Sequence, residues 1–103
     1  MQEKLNGLKD IEFSDHAEKA LEVRQFKKDE IKGIIKGSKR LLSSEHQEDP
    51  LPGDKYRLVF GYTNRYNLVV VMNFIEDKAK VVTFHKENIK KMEKVRKWLE
   101  KHR

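Results

Sequence analysis

No cysteine occurs in the 103 residues. Its absence removes a disulfide framework, a thiolate metal site and a cysteine nucleophile together, and it suits a reducing compartment. Long apolar runs are missing as well: the longest aliphatic stretch, Leu68 to Met72, falls far short of the about 20 residues that cross a bilayer. The opening residues, MQEKLNGLKDIEFSD, lack the basic start and the apolar stretch of about 7–15 residues that a secretory signal needs. A cytoplasmic protein with no membrane partner is therefore expected. The four histidines, His16, His46, His85 and His102, are not closely paired, and no HExxH segment or acidic cluster accompanies them, so no metal is expected. Neither a GxxxxGK[ST] nor a GxGxxG loop is present, which sets aside nucleotide hydrolysis and dinucleotide redox chemistry. No cofactor is expected.

What the chain does have is charge. Charged residues make up 39% of it, against roughly 25% in ordinary soluble proteins, and hydrophobic residues 37%. A core of that size serves one domain, residues 1–103, because two would each bury too little apolar surface. The net charge of +6 is unevenly spread: Lys86 to Arg103 hold eight Lys or Arg and three Glu, net +5, which leaves +1 for everything before. Such clustering favours a phosphate backbone or an acidic protein partner. It equally fits a solvated lysine-rich helix face.

Periodicity divides the chain. Asp10-Ile11-Glu12-Phe13-Ser14 alternates polar and apolar side chains, as a short half-buried strand does. Ser14 and Asp15 offer N-cap oxygens, with Glu18 three residues after Asp15, for a helix running to about Gln25 whose Ala17, Ala20 and Leu21 share a face. Asp29 caps a second helix with Ile31, Ile34 and Ile35 as its stripe and Gly37 at its end, making an αα-hairpin. Residues 38–53 hold both prolines and a polar run, and read as a loop of 16 residues; loops beyond about 12–15 residues are usually functional or disordered. The pattern then changes to period two. Strands over about Lys55–Tyr62, Tyr66–Ile75 and Lys80–His85 form an antiparallel meander, and the middle one, apolar on both faces, is central. A final basic helix, residues 86–103, carries Ile89, Met92, Val95 and Leu99 as a stripe that docks on the sheet, with Trp98 beside it.

Strand alternation assigns faces to the side chains. Tyr56, Leu58, Phe60 and Tyr62 point to the core, and Arg57, Val59 and Gly61 to the opposite, more open side. On the last strand Val82 and Phe84 point inward, so Thr83 and His85 share the open face with Arg57. A guanidinium and an imidazole on one face are parts for RNA cleavage by its own 2′-hydroxyl. That reaction needs a base for the proton, a cation for the phosphorane charge and an acid for the leaving oxygen, with no metal. Each residue also has a plain structural reading: Arg57 as an ion-pair partner, His16 as part of a helix start, and Arg24 as a snorkelling side chain. Tyr62 and Arg65 at the hairpin end, with Lys86, Lys90, Lys94 and Lys97 along the basic helix, complete the candidate nucleic-acid contacts.

The order of elements and several motifs together resemble the RelE/ParE-like toxins, and most closely a small family of unassigned function within that superfamily. The motifs are Ser14-Asp15-His16-Ala17 opening the first helix, Arg24, Lys55-Tyr56-Arg57 through Gly61, Leu68-Val69-Val70-Val71, and Val81-Val82-Thr83, spanning about residues 10 to 85. The resemblance implies an α+β, RelE-like fold and the toxin of a toxin–antitoxin pair with an acidic antitoxin protein as partner. In RNA-cleaving relatives it implies metal-independent cutting of messenger RNA. Arg57 matches the sheet arginine of those relatives, and His85 can stand for the group near the end of their last strand. This chain has no tyrosine after that strand, where several nucleases place one. The superfamily also holds gyrase inhibitors. Two functions follow: an RNA-acting toxin with Arg57, His85 and His16 as catalytic candidates, or a non-catalytic nucleic-acid- or protein-binding module of the same fold.

Overall fold

The computed structural model describes residues 1–49 and 52–102. In chain order these form α1 (Gln2–Asn6), β1 (Asp10–Phe13), α2 (Asp15–Val23), α3 (Lys28–Gly37), β2 (Leu41–Gln47), β3 (Asp54–Gly61), β4 (Tyr66–Ile75), β5 (Lys78–Asn88) and α4 (Ile89–Lys101). The fold is α+β. The five strands form one mixed sheet in the order β1-β5-β4-β3-β2. β1 joins β5 in parallel, and the remaining pairs are antiparallel. No helix among the described residues is long and apolar enough to cross a membrane.

One face of the sheet is covered by helices. Leu58 and Phe60 of β3, Leu68, Val70, Met72 and Phe74 of β4, and Val81 and Phe84 of β5 meet Leu5, Ala17, Leu21, Ile31 and Ile35 in a single buried cluster. β4 is central and apolar on both sides, as its composition predicts. α2 lies along β5 while α3 packs beside α1, so the two helices answer to different neighbours rather than chiefly to each other. Phe26, buried in the link between them, meets Phe84 edge-on at 5.4 Å.

The start of α2 is tied to the sheet. Ser14 Oγ accepts a hydrogen bond from the Ala17 amide at 3.1 Å and donates to the Val82 carbonyl at 2.8 Å. Ser14→Ala is expected to cost about 0.5–2 kcal/mol, the range for losing a serine cap. Ser14→Asp keeps the acceptor and should recover part of the loss, read as the shift in urea midpoint.

Several expectations are corrected. Residues 38–53 are not one loop: Leu41–Gln47 is an edge strand paired with β3 through most of its length. Its Ser, Glu, His and Gln side chains hide it from a hydrophobic pattern, because an edge strand takes its order from backbone pairing and tolerates polar side chains on both faces. Pro50 and Leu51 lie outside the described residues. The turn into β3 uses Gly53 at φ 102°, where a Cβ would stand 2.6 Å from Asn73 Oδ1. α3 is capped by no side chain, since its N-cap is Lys27, and Asp29 falls inside the first turn. Val82 does not reach the core, for a bulge in β5 inserts it between Val81 and Thr83. It lies instead beside Lys55 and Asn73 on the other face.

The basic helix is shorter than expected. β5 continues to Asn88, whose side chain accepts from the Lys91 amide at 3.0 Å and starts α4. α4 does not dock on the sheet: Val95 is 44% exposed, Trp98 58% and Leu99 52%, and the side chain of Met92 lies outside the described ones. The reason is in the face it would cover. Val59 and Val69 there are already buried among Arg57, Asn67, His85 and Glu87, and a helix laid on top would desolvate those charges.

Candidate functional site

Register fixes which side chains stand together on the face that α1, α2 and α3 leave open. Arg57 pairs with Glu45 on one side and Val71 on the other, and Val71 pairs with Thr83. The next row is Ser43, Val59, Val69 and His85. Arg57 and His85 are therefore on the same face, separated by β4, with the backbones of β3 and β5 two strand spacings or about 10 Å apart. The Arg57 guanidinium reaches over the central strand to Glu87, with Nη2 to Oε1 at 3.5 Å. Both side chains are shielded, at 33% and 18% exposure, so the pair is stronger than one in open water.

Arg24 arrives from another direction. β1 covers the outer edge of β5 only as far as Val81. Beyond it, Arg24 at the end of α2 donates from Nη1 to the Phe84 carbonyl. His85, half-buried, thus lies within electrostatic reach of two guanidiniums and one carboxylate. Burial pushes its imidazole below the ordinary value of 6.5, the charges of Arg24 and Arg57 push the same way, and Glu87 opposes them. The unfolded chain consequently binds the His85 proton more readily than the folded one. Stability is held above about pH 6.5 and lost as pH falls through the folded value. In His85→Asn that part of the decline should vanish, measured as urea midpoints between about pH 5 and pH 7.5. An unchanged acid slope would refute the buried, cation-flanked imidazole.

A groove of about 440 Å³ opens beside Arg57 and Glu87, between the open face and α4, with Glu93 and Arg96 on its helix side. Adjoining that side around α4, Lys90, Lys94 and Lys97 recur at helical spacing and are exposed. No group of three or more His, Asp or Glu with metal-site geometry occurs among the described residues.

The remaining sequence-predicted residues are scattered. His16 is exposed on the first turn of α2, on the helix-covered side, and no contact joins it to Arg57 or His85. Tyr62 belongs to the core side: it packs on Phe26 at 5.5 Å and donates to Glu30 Oε1 at 2.6 Å, a bond that raises its phenol above 10.0. Lys86 pairs with Leu68 and so also faces the helices, its ammonium 5.6 Å from the Phe26 ring and 5.2 Å from Tyr66. Arg65 is exposed in the β3–β4 turn, where its carbonyl accepts from the Ile89 amide at 2.9 Å. Glu87, Glu45 and the groove pair Glu93 and Arg96 are additions. Glu87 was within reach of alternation, being two residues past His85. It was missed because Lys86-Glu87 resembles an acidic helix start.

A family model matches residues 13–84, about seven-tenths of the chain. The chain belongs to DUF4258, a domain of unknown function. No curated protein and no solved structure matches it. The DUF4258 segment includes Arg24 and Arg57 and stops one residue before His85, so the imidazole, Glu87 and α4 lie beyond it. Membership assigns no reaction.

Proposed function

We propose that this DUF4258 protein is a toxin-like, RNA-acting protein that holds one phosphodiester over the open sheet face and cuts it without metal. The observation that carries the reading is that Arg57 and His85 stand in adjacent rows of one open sheet face, with Glu87 on the Arg57 guanidinium and Arg24 on the neighbouring Phe84 carbonyl. The resemblance of its motifs to those of RelE-like toxins supports it, as does the row of lysines on α4, which gives a flanking backbone a positive surface.

In this reading His85, neutral at physiological pH, takes the proton of the ribose 2′-hydroxyl. The 2′-oxygen attacks the adjacent phosphorus, the bond from phosphorus to the 5′-oxygen breaks, and the departing oxygen takes up a proton from solvent. The products are a 2′,3′-cyclic phosphate and a 5′-hydroxyl, and His85 then returns its proton to water. Arg57 donates to the non-bridging oxygens as their charge grows, its fork suited to two of them at once. Glu87 holds that guanidinium in place until phosphate competes for it.

The test is cleavage of single-stranded RNA in EDTA by the wild type, Arg57→Ala and His85→Ala. Cyclic-phosphate ends formed by the wild type and lost in both variants support the enzyme. Undiminished cutting in both rejects this site.

A second reading rests on α4. Its exposed lysines suit a binding module that docks a phosphate backbone or an acidic protein such as an antitoxin without catalysis. RNA binding with no cleavage by the wild type would select it.

A further inference from the structure

The groove beside Arg57 is not a simple anion trap, because its charges alternate. Two guanidiniums, Arg57 and Arg96, face two carboxylates, Glu87 and Glu93. Arg57 and Glu87 are paired with each other across the sheet. Glu93 and Arg96 come from α4, three residues apart and so neighbours on one face of the helix. Apolar surface from Leu42, Val59 and Ile89 completes the walls. Leu42 owes its place to the bulge between Leu41 and Ser43 in β2, which leaves its side chain 63% exposed.

A carboxylate beside a guanidinium fits one nucleobase best. The carboxylate accepts from N1–H and the N2 amino group of guanine, while the guanidinium donates to O6 and N7. Adenine meets the same pair badly, since its N1 lone pair faces the carboxylate and its amino hydrogens face the guanidinium. Each pyrimidine offers only one of the two edges. The faces of the ring need apolar cover, which the walls supply. The volume, about 440 Å³, lies within the range of about 300–1,000 Å³ usual for small-molecule sites.

We infer that this groove is a guanine subsite, with Glu93 and Arg96 reading the base while Arg57 holds the neighbouring phosphate. The inference rests on the RNA reading above and adds to it a base preference. It also gives α4 a role that its lysines alone do not: one strip of the helix meets the backbone and the adjoining strip a base. The positive charge of Arg96 and the negative charge of Glu93 are both required, so this side of the helix contributes selectivity rather than general affinity for polyanions.

The test uses short 2′-O-methyl oligonucleotides, which cannot be cut, with guanine, hypoxanthine, adenine, uracil or cytosine at one position in an otherwise fixed sequence. Fluorescence anisotropy at constant salt should show guanine bound about 10-fold or more tightly than adenine, the size of one good bidentate contact. Hypoxanthine, which lacks the N2 amino group, should fall between. Glu93→Gln and Arg96→Gln, at exposed helix positions, should each bring the guanine oligonucleotide down to the affinity of the adenine one. Equal binding of all bases, or a guanine preference kept by both variants, overturns the subsite while leaving RNA binding intact. No binding of any oligonucleotide removes the RNA reading and the subsite together.

Discussion

Phe84→Ala is expected to destabilise the protein by about 3–5 kcal/mol, the usual cost of emptying a buried phenylalanine site. The ring is fully buried, packs edge-on against Phe26 at 5.4 Å, and sits on β5 between Thr83 and His85. Small domains are stable by only about 5–15 kcal/mol, so this one change removes a large share of the total. The loss should also reach the site, because the Phe84 carbonyl is where Arg24 is held. Urea denaturation measures the first effect. Phe84→Leu, which keeps much of the volume, should lose markedly less. A midpoint in Phe84→Ala close to that of the wild type would show that the helices do not pack on β5 as described.

Under the proposed RNA-cleaving function, Arg57→Ala is expected to act in the opposite way, sparing the fold and removing the cleavage. Its ion pair with Glu87 is one partly exposed contact, and losing such a pair costs about 1 kcal/mol or less. If Arg57 is the proposed donor to growing phosphorane charge, its loss slows RNA cleavage by about 100- to 1,000-fold. Arg57→Lys keeps the charge without the fork and should recover little of the rate. Initial rates in EDTA, read beside thermal melting, separate the two effects. Cleavage within about tenfold of wild type in Arg57→Ala, at unchanged RNA affinity, contradicts an electrostatic role of the size that single donors have.

Much of the fold was legible where side chains alternate or recur. β1, α2 and β4 follow from the alternation at Asp10–Phe13, the cap at Ser14 and the two-sided apolar run from Leu68 to Met72. β2 was not, since an edge strand of Ser, Glu, His and Gln looks like a loop until β3 is found beside it. α1 was likewise missed: five residues with one fully buried side chain, Leu5, carry too short a period to read. The docking expected of α4 failed for a different reason. Its stripe is real, but the sheet face left open by α1, α2 and α3 carries charges that a covering helix would have to bury.

The candidate site divides in the same way. Alternation alone put Arg57, Thr83 and His85 on one face. It could not reveal the bulge at Val82, and without that bulge the inward run of Val81 and Phe84 makes no sense, because residues three apart on a regular strand face opposite ways. The sequence by itself determined the balance of charge, the lack of any cysteine thiol, and the two-sided apolar strand that had to be central. Tertiary structure alone decided that Arg57 would find Glu87 across a strand, that Arg24 would close on the Phe84 carbonyl from another element, and that α4 would stand off to leave a groove. Those partners are separated by 30 and 60 residues. Contacts at such range depend on strand order and on the bulge in β5, which the pattern within one segment does not encode.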